Sequence, residues 1–224
     1  MCGRFTITLE VGAWQEAFDL QDIHVDWKSR YNVAPTQMIP VVKDADQRRV
    51  EWMRWGLIPY WAKDKSIGNR LINARSETIK EKPSFRNAFQ QRRCLILADG
   101  FFEWQRGSTL KASKVPYYFH LRDHKPFFFA GLWESWRQVQ EKGKIHSCTI
   151  ITTTPNELVG QMHNRMPVIL DETTCWAWLQ EQSTNSLLNL LKPYPAERMQ
   201  AYPVSTSINN PANDQAQIIQ PLQD

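Results

Sequence analysis

Cysteine stands at position 2 with a glycine behind it, in the opening MCGRF. An initiator methionine is normally trimmed when the next residue is small, so Cys2 is expected to become the N-terminal residue. It then carries two nucleophiles, an α-amine and a thiol, with ordinary pKa values of about 7.7–8.0 and about 8.5. Both are partly deprotonated near neutral pH, and cysteine is intrinsically nucleophilic. The plain alternative is a small residue at a chain start, and the remaining motifs must decide between the two.

Four further stretches hold residue types that do chemistry. In RLINARSET, strand alternation points Asn73 and Arg75 to one face, with Ile72 and Ala74 packing behind. An amide beside a guanidinium can hold an anion or orient a carbonyl oxygen; a structural arginine with a turn-capping asparagine is the alternative. In ADGFFEWQR, Glu103 lies between Phe102 and Trp104. A carboxylate among aromatics is desolvated, its pKa rises, and it can move protons near neutral pH. Alternation equally permits an exposed glutamate on an edge strand, its aromatic neighbours facing the core. In MHNRMPVIL, His163 can shuttle protons, with a structural histidine as the alternative, and Arg165 suits a phosphate or an internal ion pair. RWGLIPYWAKDK sets aromatics and a proline beside lysines. Trp55 is expected in the core and Tyr60 and Trp61 at the surface, where aromatics stack on bases.

The elements that must position these residues are mostly strands. CGRFTIT, MIPVVK, RVEWMRW, RLINAR, RCLILAD, FFEWQR, VPYYFHLR, PFFFAGLW and HSCTIITT are rich in β-branched and aromatic residues and are separated by turn formers. Helices are expected over 10–19, where Val11, Trp14 and Phe18 form a stripe, and over 171–180 and 185–191. In TPNEL, Thr154 at N-cap, Pro155 and Glu157 make a capping box for a short helix running to about Met162, which brings His163 to its end. The stretch from Ser205 is expected to be irregular. Together these predict one α+β domain over 1–224, a curved, mostly antiparallel sheet or open barrel with peripheral helices.

Composition narrows the classes. The 224 residues are 42% hydrophobic and 22% charged, as in a soluble globular protein. Cys2, Cys94, Cys148 and Cys175 are far apart with no C-x-x-C pair, so no thiolate zinc site and no metal are expected. Free thiols, no apolar leader and no long apolar run point to the cytoplasm and away from membranes. Residues 60–93 carry nine Lys/Arg and three acids, a net +6 against −2 elsewhere, which suggests a polyanionic partner or a solvated basic face. Phosphate-loop, dinucleotide, nucleophile-elbow and zincin motifs are lacking, and no cofactor is expected.

MCGRF, YNVAPT, RWGLIPYWAKD, LINARSET, ADGFFEW and HNRMPVIL occur in that order. As a set they resemble the SOS response-associated peptidase (SRAP) family, the abasic-site processing proteins, from Cys2 to about Leu170. The resemblance implies that Cys2, freed of Met1, attacks the ring-opened aldehyde of an abasic site in single-stranded DNA and closes a thiazolidine. It implies that Asn73 orients the terminus and the sugar, that Glu103 transfers protons, and that His163 assists and takes part in reversal. Arg4 and Arg75 match phosphate-binding positions. Asn32, Pro35, Trp104, Thr152 and Arg165 match pocket-lining or DNA-facing positions, and Pro59, Tyr60 and Trp61 a loop that wedges bases at single-strand/duplex junctions. The family's last motif commonly has aspartate where Asn164 stands. The implied protein is a cytoplasmic monomer that needs no cofactor. Two other readings stay open: an N-terminal-cysteine hydrolase or peptidase, which can share the Met-Cys-Gly start, and a noncovalent single-strand-binding module.

Overall fold

The computed structural model describes residues 2–21, 23, 27–105, 114–137 and 143–222. Among them run β1 (Phe5–Ile7), α1 (Val11–Phe18), β2 (Arg30–Val33), β3 (Met38–Val42), β4 (Glu51–Trp55), β5 (Asn73–Arg75), α2 (Arg86–Gln91), β6 (Arg93–Ala98) and β7 (Gly100–Gln105). Then follow β8 (Val115–Leu121), β9 (Phe127–Trp136), β10 (Ile145–Thr153), α3 (Glu157–Gly160), β11 (Met166–Pro167), β12 (Ile169–Leu170), α4 (Cys175–Gln180), α5 (Thr184–Leu190) and β13 (Met199–Pro203). The strands form two sheets, in the orders β13-β8-β7-β1-β2 and β11-β10-β4-β3-β6-β9-β12, with β5 laid against β10. Pairing is antiparallel except where β10 runs parallel to β4 and β5. The α+β architecture with peripheral helices is the one the strand-rich sequence predicts.

The core lies between the sheets. Phe5 of β1 meets Trp55 and Phe129 edge-on at 5.2 and 5.6 Å. All six residues of β6 are buried. A strand with neighbours on both edges and helices over it reads as one apolar run, not as an alternation. α1 buries Trp14 and Phe18, and Phe18 lies 4.3 Å from Phe128. Arg93 has an internal role: its guanidinium donates to the carbonyls of Phe89, Gln90, Trp178, Leu179 and Glu181, satisfying the ends of α2 and α4. Part of the basic excess over 60–93 is therefore spent inside the fold.

Two glycines hold the segment that presents Tyr60 and Trp61. Gly56 has φ of 120°, and a Cβ there would come within 2.5 Å of the Gly68 carbonyl oxygen. The backbones of 56 and 68 thus touch where no side chain fits.

Several elements differ from expectation. The short helix before His163 is capped by Asn156, not Thr154, and spans Glu157–Gly160. The Asn156 side chain accepts from the Val159 N–H at 2.9 Å and donates to the Tyr194 carbonyl at 2.7 Å. Asparagine here accepts from the helix with its oxygen and donates to a second segment with its amide nitrogen. Strands β2 and β13 and helix α2 are additional to the predicted set. The tail after Ser205 is irregular, with 3-10 turns at Thr206–Asn209 and Ala216–Ile219. It is nonetheless packed: Ile208 and Ile218 are buried with Phe102, Tyr118 and Val204.

Candidate active site at the seam of the two sheets

Cys2 sits just before β1, whose register against β7 pairs Phe5 with Phe101 and Thr6 with Gly100. The Phe102 N–H donates to the Arg4 carbonyl at 3.0 Å. Continued toward the N-terminus, this antiparallel register sets Gly3 opposite Glu103, so the strand pairing itself delivers residue 2 to the carboxylate. Glu103 is 2% exposed and Cys2 is fully buried. β7 is an interior strand, not an edge, and alternation turns Phe102 and Trp104 to the other face while Glu103 points with Phe101 toward the core. Burial pushes the Glu103 carboxyl up to about 7. Burial, with the Glu103 charge adding to it, pushes the Cys2 thiol far above its ordinary value. The thiol in this state is held protonated beside a group that titrates near neutral pH.

The opposing sheet supplies the amide. β5 pairs in parallel with β10, Asn73 facing Ile150 and Arg75 facing Thr152. Ala74 is buried, Asn73 half-buried and Arg75 exposed, so Asn73 and Arg75 share the open face as alternation requires. The Asn73 Nδ2 donates to the Cys2 carbonyl at 2.9 Å. Its Oδ1 is buried with no hydrogen-bond partner among the described residues. A lone buried acceptor beside a chain terminus is costly unless something donates to it.

His163 follows α3, its N–H donating to the Val159 carbonyl at 2.9 Å. The Arg165 N–H lies 3.1 Å and the Arg165 carbonyl 3.2 Å from the His163 Nδ1. The Arg165 guanidinium grips Glu77 through both oxygens, at 2.5 and 3.0 Å, and donates to the Thr152 carbonyl at 2.6 Å. Of the two roles open to Arg165, the structure shows the internal ion pair. Glu77 was not singled out by the sequence, although its place two residues after Arg75 put an acid within the motif.

The remaining candidates divide into two groups. Arg4 and Asn32 are bound to the tail: the Arg4 guanidinium donates to the Asn32 Oδ1 at 2.9 Å, the Ile208 carbonyl at 2.6 Å and the Asn209 carbonyl at 3.4 Å. Asn32 donates in turn to the carbonyls of Ile208, Asn210 and Asn213. Trp104 donates to the Asn209 Oδ1 at 2.8 Å. Pro35 lies half-buried after β2, and Thr152 is fully buried under Arg165. Tyr60 and Trp61 are 58% and 47% exposed, as expected, while Pro59 beside them is buried. Met1, and so its removal, lies outside the described residues.

Among the described residues no group of His, Cys, Asp or Glu side chains could hold a metal ion, and no helix is long and apolar enough to cross a membrane. The four cysteines are free and buried.

Residues 1–211 match the family model for SOS response associated peptidase (SRAP). The chain is 43% identical over 225 residues to the abasic site processing protein YoqW of Bacillus subtilis, covering 98% of this chain and 99% of that one. It is 31% identical over 260 residues to the abasic site processing protein HMCES of Xenopus tropicalis, covering 96% of this chain and 76% of that one. A crystal structure of a protein from Bacteroides thetaiotaomicron superposes with a TM-score of 0.89 at 28% identity, covering 99% of this chain and all of that one.

Proposed function

The chain belongs to the SOS response associated peptidase family, and from that premise we propose that it processes abasic sites in single-stranded DNA by covalent capture at Cys2. The observation that carries the reading is the 2.9 Å bond from Asn73 to the Cys2 carbonyl, which fixes residue 2 beside buried Glu103. The curated relatives' names supply the lesion; the site supplies the chemistry.

Removal of Met1, which the protein performs on itself in this reading, frees the Cys2 amine. The amine adds to the C1′ aldehyde of the ring-opened sugar, and the carbinolamine loses water to give an imine. The thiol then adds across the C=N bond: sulfur bonds carbon, and the thiol proton ends on nitrogen, closing a five-membered thiazolidine. Only a terminal cysteine places both groups on one residue. The reaction begins with the amine, so a buried protonated thiol is compatible with it. Glu103, poised near pH 7, takes a proton from the Cys2 ammonium, which frees the amine lone pair to attack, and later gives that proton to the carbinolamine hydroxyl, which leaves as water. The vacant Asn73 Oδ1 is an acceptor for the freed amine or a sugar hydroxyl. His163 assists proton transfer on the open side. Arg75, exposed on that face, contacts a flanking phosphate, and Tyr60 and Trp61 pack against bases at a strand/duplex junction. The protein works as a cytoplasmic monomer in this account.

Intact-mass analysis with an abasic oligonucleotide tests it. Wild type should lose Met1 and gain the mass of the strand less one water; Cys2→Ala should gain nothing. An adduct on the alanine variant, or none on wild type, overturns the proposal.

A further inference from the structure

Arg75 and Arg165 both lie in site motifs, yet their surroundings differ. Arg75 is exposed. The Arg165 side chain is 12% exposed and is closed over the Glu77 carboxylate by two bonds, at 2.5 and 3.0 Å. Its Nη2 also donates to the Thr152 carbonyl at 2.6 Å. A forked guanidinium–carboxylate pair of this kind is directional and strong. It engages both Nη1 and Nη2, while Nε is buried with no hydrogen-bond partner among the described residues.

The pair joins two parts of the site that are distant in sequence. Glu77 lies in the turn Ser76–Thr78, directly after the strand that carries Asn73 and Arg75. Arg165 lies two residues after His163. Thr152, which receives the same guanidinium, is the register partner of Arg75. One ion pair therefore pins the His163 loop to the Asn73 strand. The backbone of Arg165 faces His163 with both a donor and an acceptor, 3.1 and 3.2 Å from Nδ1. When Nδ1 is bare the N–H bonds it; when Nδ1 carries a proton the carbonyl does. The imidazole can thus change protonation without losing its anchor, provided that the Arg165 backbone stays in place.

We propose that Glu77 is a positioning residue of this site, acting through Arg165 to hold His163. The inference rests on the covalent-capture reading above. It also names the acid that serves this loop, where Asn164 offers none: the carboxylate comes from the turn that follows β5.

The test compares wild type, Glu77→Gln and Glu77→Asp. Three quantities are read: adduct formation at saturating abasic strand, affinity and salt slope for a strand bearing a tetrahydrofuran analogue that lacks the aldehyde, and the His163 ring nitrogen signals by NMR without DNA. Glu77→Gln should slow adduct formation about tenfold, as loosened positioning does, and shift the His163 signals. It should leave affinity for the aldehyde-free strand and its salt slope unchanged. Glu77→Asp, which keeps the charge, should recover part of the rate. Tighter binding with a salt slope steeper by about 0.7 would show that a freed Arg165 takes a phosphate, and overturns the proposal. Unchanged His163 signals overturn it too. If wild type forms no adduct, the capture reading falls, and the NMR comparison still decides this one.

Discussion

The two sheets bring opposite electrostatics to one seam. On the five-stranded sheet, Glu103 is buried and its carboxyl is raised to about 7. On the eight-stranded side, Glu77 is exposed, and its hydrogen bonds to Arg165 hold its carboxyl below the usual range. Both carboxylates stand near residues proposed to act. One is tuned by loss of water and can exchange a proton at neutral pH; the other is tuned by a fixed cation and stays charged. The difference assigns their work: Glu103 can carry protons, whereas Glu77 can only hold something still.

The sharpest way to break this division is to cut the bond between its halves. Asn73 belongs to the eight-stranded side and grips Cys2 on the other. Asn73→Leu keeps the branched skeleton and removes the amide. The expected result is a fall of about a hundredfold in adduct formation at saturating DNA, with aldehyde-free strand bound as before. Gel-resolved single-turnover rates measure it. A rate equal to wild type would mean that Cys2 is positioned without the opposing sheet.

Glu103→Gln tests the buried carboxylate alone. The Glu103 carboxyl is raised from 4.5 to about 7 in the folded state, so folding favours its protonated form. Stability from this group is fully present below about pH 4.5 and declines as pH rises through about 7. Glutamine cannot ionise, so the variant should match wild type in acid and exceed it by up to about 3 kcal/mol above about pH 8. Urea unfolding across that range checks the sign. Adduct formation should lose its inflection near pH 7 and become slower. A variant less stable than wild type at high pH would show that the ionised carboxylate is better satisfied than its burial implies.

Local chemistry was legible in the sequence to the extent that it depends on neighbours along the chain. The shared face of Asn73 and Arg75 follows from alternation, and the exposure of Tyr60 and Trp61 against buried Trp55 from a turn of mixed polarity. Strand order was not legible. Whether Glu103 sits on an edge or an interior strand decides its pKa, and that is set by β1 and β8 flanking it. Partners distant in sequence were hidden as well. Glu77 meets Arg165 across 88 positions, and Arg4 meets a backbone carbonyl across 204. A main-chain oxygen carries no residue type to read. The cap at Asn156 was missed for a related reason, because its second bond goes to the Tyr194 carbonyl from another segment.

The smallest effect concerns two arginines that the motifs treat alike. Arg4 is half-buried and its guanidinium is occupied by Asn32 and the Ile208 and Asn209 carbonyls. Arg75 is exposed. Arg75→Ala should shallow the salt dependence of aldehyde-free strand binding by about 0.7, the contribution of one phosphate on a single strand, and leave the melting temperature alone. Arg4→Ala should do the reverse. Its loss strands the Asn32 oxygen and the Asn209 carbonyl and leaves the Ile208 carbonyl to Asn32 alone, at a cost of about 1–3 kcal/mol for each group that stays dry and unpaired, and loosens the segment that Trp104 and Asn32 also hold. Thermal unfolding and salt titration of both variants read the contrast directly. Equal salt slopes for the two would show that Arg4 trades its carbonyl partners for a phosphate when DNA arrives, and the tail would then be a competitor for the strand instead of a brace for the site.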